Sequence, residues 1–368
     1  MERISIANAI LNGNERKYVD ECIDTGWISA NGRFVRELEK KFAEFCGTKY
    51  ALACCNGTMT LHLALKALGI GPGDEVIMPT LTYIATANSV AYCDATPVFV
   101  DSEQDTWNLD CADVERKITE RTKAIMPVHL YGLAANMDAI MALAEKYHLY
   151  VVEDAAEALG AKWGDKRVGS IGHIGSFSMF GNKIITSGEG GMLTTNDEAL
   201  YEKMKLFRSQ GVDPNKRYWH TIVGYNYRMT NLQAAVGLGQ LENAQWHLNQ
   251  RQRVAALYEK YLPMLGDLVT VQSVPEKASH VYWMNSVILS DKVAKSRDQV
   301  MAEMEEKNIE MRPLFYPMHI MPPYEDNTVN CPVAEKCASR GINLPSHGLL
   351  TEEQIRYIVE CLNEIIRN

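Results

Sequence analysis

The chain has 368 residues, 46% hydrophobic and 23% charged, which is typical of a soluble globular protein of two or three domains. Its net charge is −9 and no block of lysine and arginine is present, so neither nucleic acid nor a membrane is expected as a main partner. Nine cysteines show no metal-ligand spacing, and neither a signal pattern nor an apolar run of about 18 residues occurs, so we expect a cytoplasmic protein without a metal site.

The first two-thirds of the chain predict an α/β domain. Apolar side chains recur at helical spacing over residues 14–26 and 33–46. From residue 49 onward, apolar strands alternate with helices. The seven predicted strands cover residues 50–54, 75–78, 96–100, 124–128, 149–152, 174–179 and 191–195. The intervening and following helices are predicted over residues 60–68, 83–92, 112–118, 137–147 and 197–209. This alternation is typical of a mainly parallel sheet with helices on both faces, in which ligands bind beyond the carboxyl ends of the strands.

A second, smaller α+β domain is predicted at the C-terminus. One long helix over residues 231–262 is expected to end the large domain. Shorter elements follow, namely strands over residues 282–289 and 309–314 and helices over residues 297–307 and 351–366. We therefore divide the chain into a large domain of residues 1–245, which includes the N-terminal helices, and a small domain of residues 246–368.

Asn56-Gly57-Thr58 joins the first strand of the sheet to a helix. Backbone amides at a helix N-terminus, together with a threonine hydroxyl, bind phosphate groups. A helix cap explains Thr58 equally well. The turn is neither a GxGxxG motif nor a P-loop, so it does not predict a dinucleotide or a Walker-type site.

Asp154 lies in the segment 153–158, which directly follows the predicted strand over residues 149–152. A carboxylate facing a ring nitrogen keeps that nitrogen protonated and turns a pyridine into an electron sink. Ala155 and Ala156 leave room beside it for a flat ring. The alternative is that Asp154 and Glu157 cap the following helix.

Lys183 lies among small residues, with an apolar segment before it and glycines after it. A lysine of restricted exposure loses proton affinity and can form a Schiff base. Alone, such a lysine is more often a solvated side chain, but Asp154 and the turn at 56–58 favour the chemical role. Ser178 could add a hydroxyl to the phosphate site.

Aromatic and polar residues in other predicted turns are candidates for ligand contacts. Tyr83 follows a strand and could stack on a planar cofactor, although a core tyrosine at a helix start explains it as well. For the tentative substrate-binding set, lining of the cavity and a structural role are about equally favoured. That set comprises Trp27, Ser29, Trp219, His220, Arg312, Tyr316 and His319.

Three motifs together carry a resemblance to a known family. They are EDAAEA at 153–158, SFSxFGNKxxTxGEGG at 176–191 and GYNYRMTN at 224–231. With the turn at 56–58, their order resembles the nucleotide-sugar aminotransferases, which are fold-type I enzymes dependent on pyridoxal 5′-phosphate (PLP). The resemblance covers nearly the whole chain and implies a seven-stranded, mainly parallel sheet.

The resemblance assigns roles around the cofactor ring. It implies that Lys183 forms the Schiff base with PLP and that Asp154 pairs with the pyridinium nitrogen. Ala156 and Tyr83 are expected on the two ring faces, and Glu157 near the ring hydroxyl.

The resemblance also assigns the phosphate contacts and an oligomeric state. The residues expected to hold the phosphate are Gly57, Thr58 and Ser178. The family residue that matches Asn226 reaches into the neighbouring subunit, so a homodimer with shared active sites is expected.

The implied reaction is transamination, because Lys183 stands where related dehydratases have histidine. Segments 216–220, 282–283, 312–317 and 341–346 are most similar to members that aminate C4 of GDP-4-keto-6-deoxy-D-mannose for O-antigen and other cell-surface polysaccharides. L-Glutamate is the expected amino donor, and pyridoxamine 5′-phosphate (PMP) the intermediate form of the cofactor. Two alternatives stay open. The first is amination of a UDP- or dTDP-linked keto sugar, or amination at C3. The second is a non-catalytic regulator or scaffold with this fold.

Overall fold

The computed structural model describes residues 2–368. The strands are β1 (Tyr50–Cys54), β2 (Glu75–Pro79), β3 (Thr96–Val100), β4 (Thr122–Ile125), β5 (Tyr150–Asp154), β6 (Lys162–Trp163), β7 (Lys166–Arg167), β8 (Ile174–Ser178), β9 (Gly191–Thr195), β10 (Val269–Val271), β11 (Asn285–Leu289), β12 (Arg312–Pro313) and β13 (Gly341–Leu344). The α-helices are α1 (Glu15–Thr25), α2 (Arg33–Cys46), α3 (Gly57–Leu68), α4 (Ala85–Ala91), α5 (Cys111–Lys117), α6 (Met137–Tyr147), α7 (Glu198–Arg208), α8 (Asn231–Glu242), α9 (Ala244–Tyr261), α10 (Arg297–Glu306), α11 (Pro332–Arg340) and α12 (Glu352–Arg367).

The large sheet has seven strands in the order β1-β9-β8-β5-β4-β2-β3. The pairs β2–β3, β2–β4, β4–β5 and β5–β8 are parallel, whereas β9 is antiparallel to both β1 and β8. The predicted mainly parallel α/β sheet is therefore confirmed. Because β1 and β8 both oppose β9, they point the same way. The carboxyl ends of β1, β2, β4, β5 and β8 thus meet at one edge, together with the start of β9.

Apolar layers cover both faces of this sheet. Along β1, Ala51 and Ala53 pack into a cluster with residues of α2 and α8, while Leu52 and Cys54 pack into a cluster with residues of α3 and α7. Both layers are fully buried, as expected for strands whose side chains are apolar on both faces.

The predicted helix over residues 231–262 is wrong. The segment forms α8 and α9, which meet at Asn243 with φ −106° and ψ 13°. Asparagine competes with helical hydrogen bonding, which favours a break at this position.

A second, smaller sheet has four strands in the order β10-β11-β13-β12. Strand β11 begins at Asn285, later than predicted, because Tyr282 has φ 50° and cannot extend the strand. Strand β12 spans only Arg312–Pro313, since proline lacks the donor that a strand interior needs. The sequence interpretation missed β10, β13 and α11.

The chain start packs against this second sheet. Ile4 forms a bridge with Ile309 and is buried in the apolar cluster that contains Val287 and Ile342. The proposed division of the chain at residue 245 stays a prediction.

Among the helices of residues 2–368, none combines the length and the apolar composition that a membrane span requires.

Candidate active site

A cavity of about 580 Å³ opens at the edge where the carboxyl ends of the strands meet. The sequence-predicted residues that line it are Gly57, Thr58, Tyr83, Asp154, Ala156, Glu157, Ser178, Lys183 and Arg312. A larger cleft of about 660 Å³ beside α9 and β10 contains none of them. The cavity at the strand ends therefore unites residues that are far apart in the sequence.

The start of α3 forms one wall of the cavity. Asn56 Oδ1 accepts the Met59 N–H at 2.9 Å and begins the helix. Within residues 2–368, the amides of Gly57 and Thr58 donate to no acceptor. Two free amides at the positive end of a twelve-residue helix suit a phosphate group.

Two glycines permit the close packing of this wall. A Cβ on Gly57 would lie 2.8 Å from Ser178 Cβ, and a Cβ on Gly191 would lie 2.7 Å from the Asn56 carbonyl oxygen. Side chains at either position would displace the turn or fill the space next to the free amides. The residues present thus fit the phosphate of PLP.

Asp154 is buried at the end of β5. Its Oδ2 accepts a hydrogen bond from Thr86 Oγ1 at 2.9 Å, and its Oδ1 accepts the Ala156 N–H at 3.2 Å. Burial raises the pKa of Asp154, while those two hydrogen bonds and the charge of Lys183 oppose the rise. A cationic ring nitrogen would favour the charged carboxylate, so the donor set fits a pyridinium partner.

The end of β5 is held from behind by a buried hydrogen-bond network. Glu153 accepts hydrogen bonds from the N–H groups of Gly169, Ile171 and Gly172, at 2.7, 2.8 and 2.6 Å. His129 Nε2 lies 3.1 Å from Glu153 Oε2, and its Nδ1 accepts the Ala135 N–H. Because Nδ1 is an acceptor, Nε2 carries the proton and donates a hydrogen bond to Glu153 Oε2.

Lys183 lies in the loop between β8 and β9. Its backbone N–H donates to the Phe180 carbonyl at 3.0 Å, and its Nζ lies 4.0 Å from the ring centroid of Trp283. Burial lowers the pKa of Lys183, and the nearby carboxylates of Glu157 and Asp154 raise it in part. A lowered pKa makes the neutral, nucleophilic amine accessible.

Glu157, like Asp154, is a buried carboxylate that lines the cavity. Burial raises its pKa to about 7, against the charge of Lys183 and the hydrogen bond that its Oε2 accepts from the Tyr131 N–H at 2.7 Å. Tyr131 has φ 56°, a conformation rare for a non-glycine residue, and its hydroxyl accepts the Phe315 N–H at 2.9 Å.

Several cavity residues were missed by the sequence interpretation. Those that contact the predicted set are Thr86, Tyr131, Asn182, Trp283, Phe315 and Asn343. Four of them had a sequence signal without an assigned role. Asn182 lies in the motif at 176–191, and Trp283, Phe315 and Asn343 lie in segments that carry the resemblance. Tyr131 follows the predicted strand over residues 124–128, and Thr86 joins the site through its hydrogen bond to Asp154.

Other predicted residues do not line this cavity. Trp27 and Trp219 are 58% and 52% exposed, and Ser29 and His220 are also exposed. Asn226 is exposed and accepts a hydrogen bond from Arg228 Nε. Their binding roles stay predictions.

Tyr316 and His319 do not line this cavity and contact other groups. Tyr316 accepts a hydrogen bond from Arg297 at 2.9 Å. His319 is buried, with Nδ1 at 2.7 Å from Thr80 Oγ1 and Nε2 at 3.1 Å from Glu335. Both side chains have structural partners, and their binding roles also stay predictions.

Residues 10–363 match the DegT/DnrJ/EryC1/StrS aminotransferase family. The chain belongs to this family. Aminotransferases of this family depend on PLP. The lysine, the buried carboxylate and the free amides of the cavity agree with that dependence.

Two curated relatives match over their full length. The chain is 56% identical over 367 residues to GDP-perosamine synthase of Caulobacter vibrioides, covering 100% of this chain and 99% of the relative. It is 47% identical over 364 residues to GDP-perosamine synthase of Escherichia coli O157:H7, covering 99% of each.

A solved structure supports the fold. Helicobacter pylori PseC, an aminotransferase involved in the biosynthesis of pseudoaminic acid, has a TM-score of 0.93 and 27% identity, with 100% of both chains covered. A neighbour from Streptococcus pneumoniae was solved in a PMP form, with a TM-score of 0.94, 26% identity and coverage of 99% and 98%.

Proposed function

We propose that the chain transfers the amino group of L-glutamate to C4 of GDP-4-keto-6-deoxy-D-mannose, giving GDP-perosamine, with PLP as cofactor. One observation carries the proposal: a chain 56% identical along its whole length to a GDP-perosamine synthase places Lys183 and Asp154 in one cavity. The full-length identity supports the substrate, and the cavity supports the chemistry.

The lining residues suggest how the cofactor is held. Gly57, Thr58 and Ser178 would bind the phosphate, since the free amides and two hydroxyls line one end of the cavity. Asp154 would pair with the ring nitrogen. Ala156 and Tyr83 would contact the ring faces, as the resemblance implies.

When bound, PLP supplies an electron sink that stabilises the carbanion formed at the amino-group carbon. Lys183 Nζ then acts as base and acid. In the first half it would accept the proton that leaves the α-carbon of glutamate and pass it to the C4′ carbon of the cofactor. In the second half it would take a proton back from that carbon and deliver it to C4 of the sugar. Its lowered pKa favours the first role, and the carboxylates of Asp154 and Glu157 favour the protonated form needed for the second.

Arg312 is the lining residue suited to an anionic part of the substrate. Its guanidinium lies 3.3 Å from Glu310 and is half-exposed, so it can turn toward a carboxylate or diphosphate. Asn226 lies outside the cavity of its own chain, which fits a residue that serves the partner subunit of a homodimer.

The test is a product assay on the purified protein with PLP and L-glutamate. GDP-4-keto-6-deoxymannose should be aminated at C4 with formation of 2-oxoglutarate, and UDP- and dTDP-linked 4-keto sugars should react far more slowly. Preference for a UDP or dTDP sugar, or amination at C3, overturns the substrate assignment. No transfer from any donor to any keto sugar overturns the enzymatic role.

A further inference from the structure

The side chain of Trp283 contacts two adjacent residues, Asn182 and Lys183, of the loop between β8 and β9. Its Nε1–H donates to the Asn182 carbonyl oxygen at 2.8 Å. The Nζ of Lys183 lies 4.0 Å from the centroid of its ring. The segment before β11 therefore holds both the backbone of the loop and the amine that the loop presents.

The indole ring is itself fixed. It is 5% exposed and stacks on Tyr131, with ring centroids 6.3 Å apart and an interplanar angle of 16°. Buried Arg251 donates to the Trp283 carbonyl oxygen at 3.1 Å. A Cβ on Gly132 would lie 3.0 Å from the Trp283 backbone nitrogen, so the chain here packs against a glycine with φ 103°. The backbone of Trp283 is thus held by Arg251 and Gly132, and its ring by burial, by Tyr131 and by the hydrogen bond to Asn182, so turning the ring away from Lys183 would break the last two contacts.

The face of an indole attracts a cation more strongly than any other aromatic side chain does, and more so when water is excluded. The other charged or titratable residues that line the cavity around Lys183 are Tyr83, Tyr131, Asp154, Glu157, Glu189 and Arg312. Among them the carboxylates also favour the ammonium form, whereas Arg312 opposes it. The aromatic face is thus a further stabilising contact for the protonated amine.

We propose that Trp283 is a positioning residue for Lys183, whose ring face receives the ammonium group whenever the lysine is free and whose indole N–H fixes the loop. The proposal rests on the proposed function only in taking Lys183 as the reacting lysine. Within each half of transamination the free lysine carries a proton from one carbon to another, and a fixed ring face holds the protonated amine near both carbons during that transfer.

The test measures the pKa of Lys183 in the PLP-free protein. Trace labelling with acetic anhydride over a pH series, followed by peptide mass spectrometry, reports this pKa without any substrate. Loss of an attraction for the cation lowers the pKa, so Trp283→Leu should lower it by roughly 0.5 to 1 unit. Trp283→Phe, which keeps a weaker ring, should lower it by less. Trp246→Leu, on α9, is the matched control and should leave it unchanged.

Fluorinated tryptophans keep the test decisive if Trp283→Leu does not fold. Incorporation of mono- and difluorotryptophan at position 283 weakens the ring face with little change of shape, so the pKa of Lys183 should fall with each fluorine. Equal pKa values across the series overturn the proposal. Failure of the wild type to aminate a GDP sugar, with the pKa series as expected, overturns the proposed function and leaves this inference standing.

Discussion

Thr86 Oγ1 donates a 2.9 Å hydrogen bond to Asp154 Oδ2, so a residue of α4 orients the carboxylate at the end of β5. Thr82 Oγ1 lies 2.9 Å from the same hydroxyl. The carboxylate proposed to face the cofactor ring is therefore fixed by a chain of hydroxyl groups as well as by its own strand.

Thr86→Val should weaken PLP binding and kcat/KM by roughly 10- to 100-fold. The change keeps the shape of the side chain and removes a hydrogen bond to a charged group, a loss of about 1.5–3 kcal/mol. PLP titration by absorbance and steady-state kinetics measure both effects. Ser89→Ala is the control, because Ser89 lies on the same helix and donates only to the Thr86 carbonyl. Equal losses in both variants would show that α4 acts only through its packing.

The contribution of Glu157 to the stability of the PLP-free protein should fall as the pH rises from 5 to 7. Burial raises the pKa of Glu157 from 4.5 to about 7, so the folded chain binds a proton that the unfolded chain has released. This stabilisation is full below about pH 4.5 and is lost as the pH passes 7.

Glu157→Gln should remove that contribution. The unfolding free energy of the wild type minus that of the variant is expected to fall by about 2 kcal/mol between pH 5 and 7, because the terms from all other titrating groups are common to both proteins. Urea denaturation at pH 5, 6 and 7 measures the difference. Parallel curves for the two proteins would contradict the raised pKa.

Gly57→Ala should raise the dissociation constant for PLP at least about tenfold, which corresponds to about 1.4 kcal/mol. The new methyl group would lie 2.8 Å from Ser178 Cβ, so the turn must shift at the free amides. Gly71→Ala is the matched control, since its Cβ would meet nothing closer than 4.0 Å. Unchanged affinity in Gly57→Ala would show that the phosphate binds elsewhere.

The sequence predicted the large sheet well because its signals are local. Apolar strands and helical spacing mark each element within a few residues. Strand β5, for example, was predicted over residues 149–152 and is observed over Tyr150–Asp154. The small sheet was predicted less well, because its elements are short and interrupted. Pro313 shortens β12, and α11 begins at Pro332. The helical spacing of apolar residues continues through Asn243, so the spacing alone did not reveal the break between α8 and α9.

The candidate site was predicted where a motif at a strand end supplied the residue. Lys183, Asp154 and Gly57 belong to such motifs, and all three line one cavity. Thr86 could not be foreseen, because it joins the site through a hydrogen bond from a distant element. Trp283 lay in a segment that carries the resemblance, but its contact with Lys183 depends on the tertiary fold. Trp219 and Asn226 are exposed and lie outside the cavity, so their binding roles stay predictions.

Borohydride reduction of the PLP-loaded protein tests the central claim most directly. Reduction fixes the cofactor to the lysine that forms its Schiff base, and peptide mass spectrometry then locates it. We predict that the label is found on Lys183, and that Lys183→Ala keeps its fold but loses both the label and turnover. A label on another lysine, or normal amination by Lys183→Ala, would contradict the account.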